Sequence, residues 1–431
     1  MRKSKFLSVL TATTLALTLA VPTVMPLELT TGVVKAVEVT TTAPSQKIEG
    51  RCGDNAIYSY DKATRTLTIS GTGAMWNGTK YSHLGTVDKI VIGNGITVIG
   101  EDAFAQFDGG VGSAEISDTV TTIKSNAFHY LKSITIPKTV RTVETDAFCF
   151  LGKAVVEGDM NNFQYGALGF RVQEVQLKGS AETLGLALAN ANEPIVTIAK
   201  DNNRCRIANE CLVSSDGKTV YYHISDSNKV TIPDTAVTIK SAAFYNQRVE
   251  EVKLGKNVKT IEPYAFAQSY ISKLTTNSKL KKIGRCAFMG TDLKKVTLKS
   301  SVAMSPKAFD QKVILTSTKS LKSAKTVMTS ATFKKNKINA KFAKLTGAKG
   351  YQVQIKKGGK TYKYFTTKTS IKVKAPKVFK KKYNVSFSYD IDNYTSKIEG
   401  KPAYISVRPY KIVKKNKKSY GKWSEKIVLT K

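Results

Sequence analysis

Histidine and cysteine, side chains often used for metal binding and nucleophilic catalysis, are scarce in this chain. Its 431 residues include 3 His, 5 Cys and 2 Trp. His83, His129 and His223 do not have the spacing of paired metal ligands. A nucleophile elbow, a phosphate-binding loop and paired catalytic carboxylates are also missing. We therefore predict that the protein is not an enzyme and uses no cofactor or metal.

The odd number of cysteines excludes a fully paired disulfide scaffold, since at least one thiol must stay unpaired. Cys205 and Cys211 are close enough in sequence to form a disulfide, although nothing in the sequence requires one. Free thiols are the other interpretation. A zinc site made by these two residues and His223 is a third, with ligand types that zinc accepts.

Long hydrophobic runs are rare as well. A basic start over residues 1–5 precedes one apolar run, 6–20, which is too short to stay in a membrane as a span. Residues 34–36 fit a signal-peptide cleavage site, and Ala20 is a second possibility. We predict a signal peptide over 1–36 and a linker over 37–51, and hence a secreted or cell-surface protein without a transmembrane anchor.

Acidic residues are few, and the imbalance of charge is uneven. The chain has 68 Lys+Arg, 32 Asp+Glu and a formal net charge of +36. Residues 311–431 contain 32 of the basic and 4 of the acidic residues, a surplus of 28, which leaves a surplus of 8 elsewhere. The candidate polyanion contact consists of Lys380, Lys381, Lys382, Lys414, Lys415, Lys417 and Lys418. Teichoic acid phosphates or extracellular DNA would suit it, intracellular nucleic acid would not, and ordinary solvated charge is the alternative.

The most informative feature that is present is a repeat of about 22 residues. After the last apolar residue of a short strand-like run, an aliphatic residue follows at plus seven, Ala at plus eleven and Phe at plus twelve. A clear copy reads Leu254, Ile261, Ala265 and Phe266. The same offsets recur from Ile92, Ile116, Ile136 and Ile232.

Each repeat is too small to fold alone. Alternation buries one face of its short strand, and the Ala–Phe pair closes a turn in which the small Ala allows close approach. The few side chains that one unit buries cannot offset the entropy lost in ordering its backbone. We therefore predict a solenoid over 89–315, closed by a hairpin cap over 52–88. Asp216-Gly217 predicts a further hairpin, inserted on the edge of the solenoid.

After Phe309 the pattern changes. Residues 316–325 are polar and basic and predict a linker. Six or seven strand-like runs follow over 326–431, with Gly358-Gly359 joining two of them as a hairpin. Such a series predicts a β-sandwich. The expected fold class is mainly β: a solenoid of short strands and short helical or irregular turns, followed by a β-sandwich.

Stacked strands in a solenoid bind ligands through their exposed side chains. The residue between the two inward-pointing apolar residues of each strand is therefore a candidate contact, and five threonines are expected in one column. The candidate ligand face consists of Glu115, Thr135, Gln176, Thr197, Thr231, Lys253, Thr275 and Thr297. The alternative is that Thr simply suits a solvent-facing strand position. The repeated Phe is expected to be core.

These residues resemble the BspA-type leucine-rich repeat family of bacterial surface proteins. The resemblance covers about residues 52–310 and rests on CGDN at 52–55, LTISGTGAM at 67–75 and the repeated Ile-Pro…Ala-Phe phrase. Residues 326–431 are similar to the lysine-rich fibronectin type III-like modules of secreted proteins from Gram-positive bacteria, through GAKGY at 347–351 and YGKWS at 420–424.

The resemblance implies a non-enzymatic exported protein used in adhesion or in binding host proteins, without naming the ligand. We expect an extracellular protein or glycan as the partner of the solenoid, and an anionic cell-wall polymer as the partner of the basic module. Two other functions stay open: an accessory targeting module of a secreted carbohydrate-active or peptidase system, and a structural surface-layer component.

Overall fold

The structure, a computed structural model, describes residues 47–107, 110–318, 320–376, 402–413 and 417–429, and the backbone of 384–387 and 396–399. The signal peptide predicted over 1–36 and most of the linker predicted over 37–51 lie outside these residues. Within the described part of the chain, no helix is long and apolar enough to cross a membrane.

Three antiparallel strands begin the described chain. They are β1 Lys47–Arg51, β2 Gly53–Asp61 and β3 Thr66–Met75. β2 and β3 form the predicted hairpin, with β1 added on the other edge of β2. Residues 47–51 are therefore part of the sheet, where we expected a linker. The free edge of β3 pairs in parallel with the next strands, which starts the solenoid.

The predicted solenoid is confirmed and has about 12 turns, arranged as two stacks. In the first stack, the longer strands pair in parallel and form what we call the first strand row: β4 Lys89–Ile92, β6 Val111–Ile116, β8 Phe128–Ile136, β10 Phe148–Val156, β11 Glu174–Leu177 and β12 Ile195–Ile198. Shorter strands form a second ladder: β5 Ile96–Ile99, β7 Thr122–Ile123 and β9 Thr142–Val143. One helical turn, α1 Leu184–Ala187, and a 3-10 turn, Ser82–Leu84, complete this stack.

The second stack repeats this arrangement. Its longer strands form the second strand row: β16 Lys229–Thr231, β18 Glu251–Lys253, β20 Lys273–Thr275, β22 Lys295–Leu298 and β24 Ile314–Ser317. Its shorter strands are β17 Thr238–Ile239, β19 Thr260–Ile261, β21 Lys282–Ile283 and β23 Ala303–Met304. Between the stacks lie β13 Cys205–Ala208, β14 Cys211–Ser214 and β15 Thr219–His223.

The inserted hairpin of β14 and β15 forms a wall between two hydrophobic cores, and does not lie on an edge as we expected. Leu212 and Tyr221 belong to the core of the first stack, whereas Cys211, Val213 and Val220 belong to that of the second. β15 also pairs in parallel with β17, so the hairpin starts the short ladder of the second stack. A strand that is buried on both faces is apolar at consecutive positions, as here.

The repeated phenylalanines are core, as predicted, and they form two columns that we call the Phe ladders. In the first, Phe104, Phe128 and Phe148 follow one another at ring-centroid distances of 5.1 and 5.4 Å. In the second, Phe244, Phe266, Phe288 and Phe309 are separated by 4.7, 5.0 and 5.0 Å. His223 occupies the first rung of the second ladder, 5.2 Å from Phe244.

The Ala–Phe pair also carries backbone hydrogen bonds from turn to turn. The Phe266 N–H, for example, donates to the Ala287 carbonyl at 2.8 Å. The residue before the Ala has a left-handed backbone, which turns the chain sharply. These residues are Asp102, Asn126, Asp146, Gly166, Ala242, Tyr264, Cys286 and Lys307. The pair therefore links neighbouring turns in addition to closing its own.

Two antiparallel sheets follow the solenoid. One contains β25 Met328–Lys334, β26 Lys337–Phe342 and β30 Ser370–Lys374. The other contains β28 Gly350–Lys357, β29 Lys360–Thr366, β33 Tyr404–Ile412, β34 Lys418–Tyr420 and β35 Ile427–Val428. A separate pair consists of β31 Asn384–Phe387 and β32 Ser396–Glu399. The two larger sheets share one core, as expected of a β-sandwich.

This C-terminal part is joined closely to the solenoid. β27 Lys344–Leu345 pairs in parallel with β24, which extends the second strand row. The segment predicted as a linker over 316–325 contains the end of β24, a 3-10 turn at Leu321–Ser323 and the buried Ala324. Its polar composition reflects one exposed side, and the segment packs against the same core as the last turns of the solenoid.

Candidate functional site

The first strand row carries four of the eight predicted ligand residues. Glu115 and Thr135 are exposed, while Gln176 and Thr197 are half-buried register partners on neighbouring strands. The Glu115 carboxylate forms an ion pair with Lys89 at 2.6 Å. Part of the charge on this row is therefore already neutralised within the protein.

The second strand row aligns the other four residues without a gap. Its register places Thr231 beside Lys253, Lys253 beside Thr275 and Thr275 beside Thr297. Thr231 and Lys253 are exposed, and Thr275 and Thr297 are half-buried. Since neighbouring strands lie about 4.8 Å apart, this polar line is roughly 14 Å long. That length suits a short peptide segment or a few sugar units.

The five threonines do not form the single column that we expected. Thr135 and Thr197 lie on the first strand row, and Thr231, Thr275 and Thr297 on the second. β12 and β16 belong to different sheets, because the chain between them forms the inserted hairpin. The candidate ligand face is thus two separate faces.

Ion pairs engage only some of the lysines of the second strand row. Glu251 lies between Lys273, at 2.8 Å, and Lys229, at 3.6 Å. The hydrogen bond from Lys273, aided by both lysine charges, lowers the pKa of Glu251. Lys253 has no carboxylate within ion-pair distance among the described residues. Lys253 and Lys295 are therefore the lysines of this face without an ion pair among the described residues, and at longer range Lys253 adds to the lowering of the Asp234 pKa that Lys256 mainly causes.

A groove of about 550 Å³ opens at the start of the second strand row. Arg206 of β13 and Asn209 of the turn before β14 line one side, Thr231 and Lys253 line the other, and the ion pair of Lys256 with Asp234 lies beside them. The Asn209 amide donates to the Thr231 carbonyl at 3.1 Å, which ties the two sides together. Like Lys253, Arg206 has no ion-pair partner in the part of the chain that the structure describes. The groove therefore favours a polar ligand that carries negative charge.

A second groove, of about 600 Å³, lies beyond the C-terminal ends of β8, β10 and β11. Lys178 pairs with Glu157 at 3.0 Å, and Arg204 pairs with Asp159 at 3.2 Å. The Ser180 N–H, 2.7 Å from the Asp159 carboxylate, lowers the pKa of Asp159 together with Arg204. These four groups satisfy one another, but Lys138 and Arg141 also line the groove and have no ion-pair partner among the described residues, so this groove too can attract an anion.

An aromatic column that we did not predict lies on the first strand row. Tyr130, Phe150 and Phe170 each follow the apolar ladder position by two residues. Their even spacing along the sequence was the signal that could have revealed them. We had considered only the repeated Phe of the Ala–Phe pair, which dominates the pattern.

Most of the predicted polyanion contact lies outside the described residues: Lys380, Lys381, Lys382, Lys414 and Lys415. Lys417 and Lys418 are described. The Lys418 ammonium group lies 3.9 Å from the Phe365 ring centroid and 5.0 Å from that of Tyr410. Cation–π contacts of this kind hold a lysine against the protein. Lys418 is therefore partly engaged, and whether these lysines bind a polyanion stays a prediction.

The histidines and cysteines do not converge on one site. Among the residues described, no group of three or more His, Cys, Asp and Glu side chains could hold a metal ion. All five cysteines are free, and Cys205 and Cys211 are buried in different cores. His223 packs in the second Phe ladder and shares a hydrogen bond with Gln247 at 2.9 Å. Burial lowers the pKa of His223.

Comparisons with known proteins relate the repeats to one family. A family profile described as "BspA type Leucine rich repeat region", in 6 copies, matches residues 63–168 and 215–339. No curated protein matches the chain.

Among solved structures, the chain is similar to the pneumococcal vaccine antigen PcpA, with 12% identity and a TM-score of 0.40, over 63% of this chain and 82% of that one. A leucine-rich repeat protein from Eubacterium ventriosum shares 14% identity and a TM-score of 0.30, over 62% and 95%. A leucine-rich repeat protein from Bacteroides ovatus has 17% identity and a TM-score of 0.25, over 61% of this chain and 64% of that one.

Proposed function

The chain belongs to the BspA-type leucine-rich repeat family, and from that premise we propose that it is a non-enzymatic, secreted or cell-surface protein whose solenoid binds a protein or glycan. The observation that carries the proposal is the second strand row. Four polar residues lie there in register, next to a groove in which Lys253 and Arg206 have no ion-pair partner among the described residues. Adhesion to a surface that bears such ligands is the role that follows.

The binding partner would lie along Thr231, Lys253, Thr275 and Thr297 and enter the groove beside Arg206. Hydroxyl groups on a strand row donate and accept hydrogen bonds, which suits both backbone amides and sugar hydroxyls. Lys253 and Arg206 favour a ligand with carboxylate, sulfate or phosphate groups. The first strand row has a less regular polar line, so we assign it no part in this contact.

A pair of matched variants tests the proposal. Thr231→Glu and Thr135→Glu make the same change at the same repeat position, one on each row, and both positions are exposed. The purified chain and both variants would be screened against host-matrix proteins and mucin glycans. We expect Thr231→Glu to weaken binding at least tenfold and Thr135→Glu to change it less than twofold. Equal effects of the two variants, or no ligand for the wild type, would contradict the proposal.

We further propose that residues 326–431 form a fibronectin type III-like module that retains the protein on an anionic cell wall. Its two antiparallel sheets and its surplus of lysine support this. Exposed charges are screened within about 8 Å at physiological ionic strength. Purified protein bound to cell-wall sacculi should therefore be released progressively by salt. Retention of all the protein in 1 M salt would count against anchoring by charge.

A further inference from the structure

The aromatic column on the first strand row forms one continuous cluster. The Tyr130 and Phe150 rings stack at a centroid distance of 4.2 Å, and Phe170 meets Phe150 edge to face at 4.6 Å. Phe170 is 42% exposed, and Tyr130 and Phe150 are half-buried. The cluster lies at the N-terminal ends of β8 and β10 and in the turn before β11.

Folding of the repeat does not require aromatic side chains at this position. The equivalent position, two residues after the ladder apolar residue, is polar in other turns, and in one turn it has no side chain. It is held by Gln106, Asn190, Asn246, Gln268 and Gly290. An apolar cluster that the fold can dispense with, and that faces solvent, is better explained by binding than by packing.

An arginine completes the cluster, and its positive charge determines which kind of partner suits the surface. The Arg171 guanidinium lies 5.2 Å from the Phe150 ring centroid and 5.8 Å from that of Phe170. It is exposed, and in the described ranges no carboxylate lies within ion-pair distance of it. A guanidinium group held over aromatic rings with its edge free binds a carboxylate through two hydrogen bonds.

The geometry favours a peptide over a sugar. Sugar rings stack on open aromatic faces, but Tyr130 and Phe150 cover each other's faces. Aromatic residues with arginine are also the composition typical of the energetic centre of protein–protein interfaces. A second copy of the chain is opposed by the net charge of +36, which repels like molecules.

We infer that Tyr130, Phe150, Phe170 and Arg171 form a docking surface for a protein segment that presents an acidic side chain beside a bulky apolar one. This surface lies on the first strand row and is separate from the contact assigned above to the second row. The apolar side chain packs against the exposed part of Phe170, while the carboxylate pairs with Arg171. Desolvation by the aromatic rings strengthens that ion pair.

A displayed library of random 12-residue peptides provides the probe. Selection on the full chain should enrich peptides in which Asp or Glu adjoins Leu, Ile, Phe or Trp. For those peptides, Phe170→Ala and Arg171→Glu should each weaken binding at least tenfold. Both residues are exposed, so the variants should fold, and circular dichroism would verify this. Arg141→Glu is the matched control: it changes the charge equally at another exposed arginine and should alter binding less than twofold.

A charge swap makes the test specific. An enriched peptide with its acidic residue replaced by lysine should bind Arg171→Glu more tightly than it binds the wild type. Thr231→Glu should leave all these affinities unchanged, so failure here and failure of the second-row proposal can be told apart. Enriched peptides that bind Arg171→Glu and Arg141→Glu equally well would overturn the inference. The inference would also be overturned if the protein bound uronic-acid oligosaccharides on an array through Phe170 and Arg171 and bound no peptides.

Discussion

Replacing Phe266 with alanine measures how much one rung of a Phe ladder contributes to stability. The Phe266 side chain is fully buried, with Phe244 and Phe288 at centroid distances of 4.7 and 5.0 Å. Alanine removes about six carbon atoms at roughly 0.8 kcal/mol each, and the cavity collapses only in part, so we expect a loss of about 3–5 kcal/mol. Leucine removes about three carbons and should cost roughly 2 kcal/mol. The chain itself has buried leucines at this position in two turns, Leu168 and Leu188.

The free energy of unfolding would be measured by urea titration followed by far-UV circular dichroism. Phe170→Ala is the control, because Phe170 is 42% exposed and its truncation should cost less than about 1 kcal/mol. Turns of a solenoid depend on their neighbours, so the loss at Phe266 should shift the unfolding of the whole second stack. Equal losses for Phe266→Ala and Phe170→Ala would refute the idea that the ladder supports the fold.

Three further predictions concern buried polar and ionisable groups. Burial lowers the pKa of His223, so below about pH 6.5 the unfolded chain takes up a proton that the folded chain does not. The free energy of unfolding therefore decreases as the pH is lowered through this range. His223→Phe should flatten that dependence in urea titrations at pH 8 and pH 5, and parallel curves for both proteins would contradict this. The Arg408 guanidinium lies 4.5 Å from the Trp423 ring centroid, so Arg408→Met should cost about 1–2 kcal/mol in the same titration, and an unchanged midpoint would contradict it. Burial raises the pKa of Cys211 to about 12, so iodoacetamide at pH 8 should modify the half-buried Cys149 first in the native protein, and mass spectrometry would show any reversal of that order.

The solenoid could be predicted because the same short sequence pattern recurs many times along the chain. Leu254, Ile261, Ala265 and Phe266 repeat at fixed offsets, and a repeat too small to fold alone must stack. The burial of the Phe column followed from the same argument. The rows of exposed residues were also predictable, since alternation within a strand determines which side chains face outward.

The place of the inserted hairpin was not predictable from the turn signal that revealed it. Asp216-Gly217 predicts that two strands pair, but not which sheet they join. A clue was present in Leu212-Val213 and Tyr221-Tyr222, where consecutive apolar residues indicate burial on both faces. The division of the threonines into two faces followed from this placement, and depends on contacts between distant parts of the chain.

The linker predicted over 316–325 failed for a related reason. Its polar composition is that of a loop, yet Ala324 is buried and β24 pairs with β27. Composition reports the average exposure of a segment and not the contacts of single residues. The aromatic column at Tyr130, Phe150 and Phe170 was missed because it occurs in only three turns, whereas the repeat was recognised by the Ala–Phe pair that recurs in most of them.

Backbone amide hydrogen exchange of the native protein tests the central claim, that two stacks of mutually dependent turns share the inserted hairpin as a wall. The amides of β14 and β15 and of the ladder residues Phe128 and Phe266 should be among the slowest to exchange, because their hydrogen bonds open only when neighbouring turns open. Exchange in β14 and β15 as fast as in exposed loops, with protection confined to isolated turns, would contradict the account.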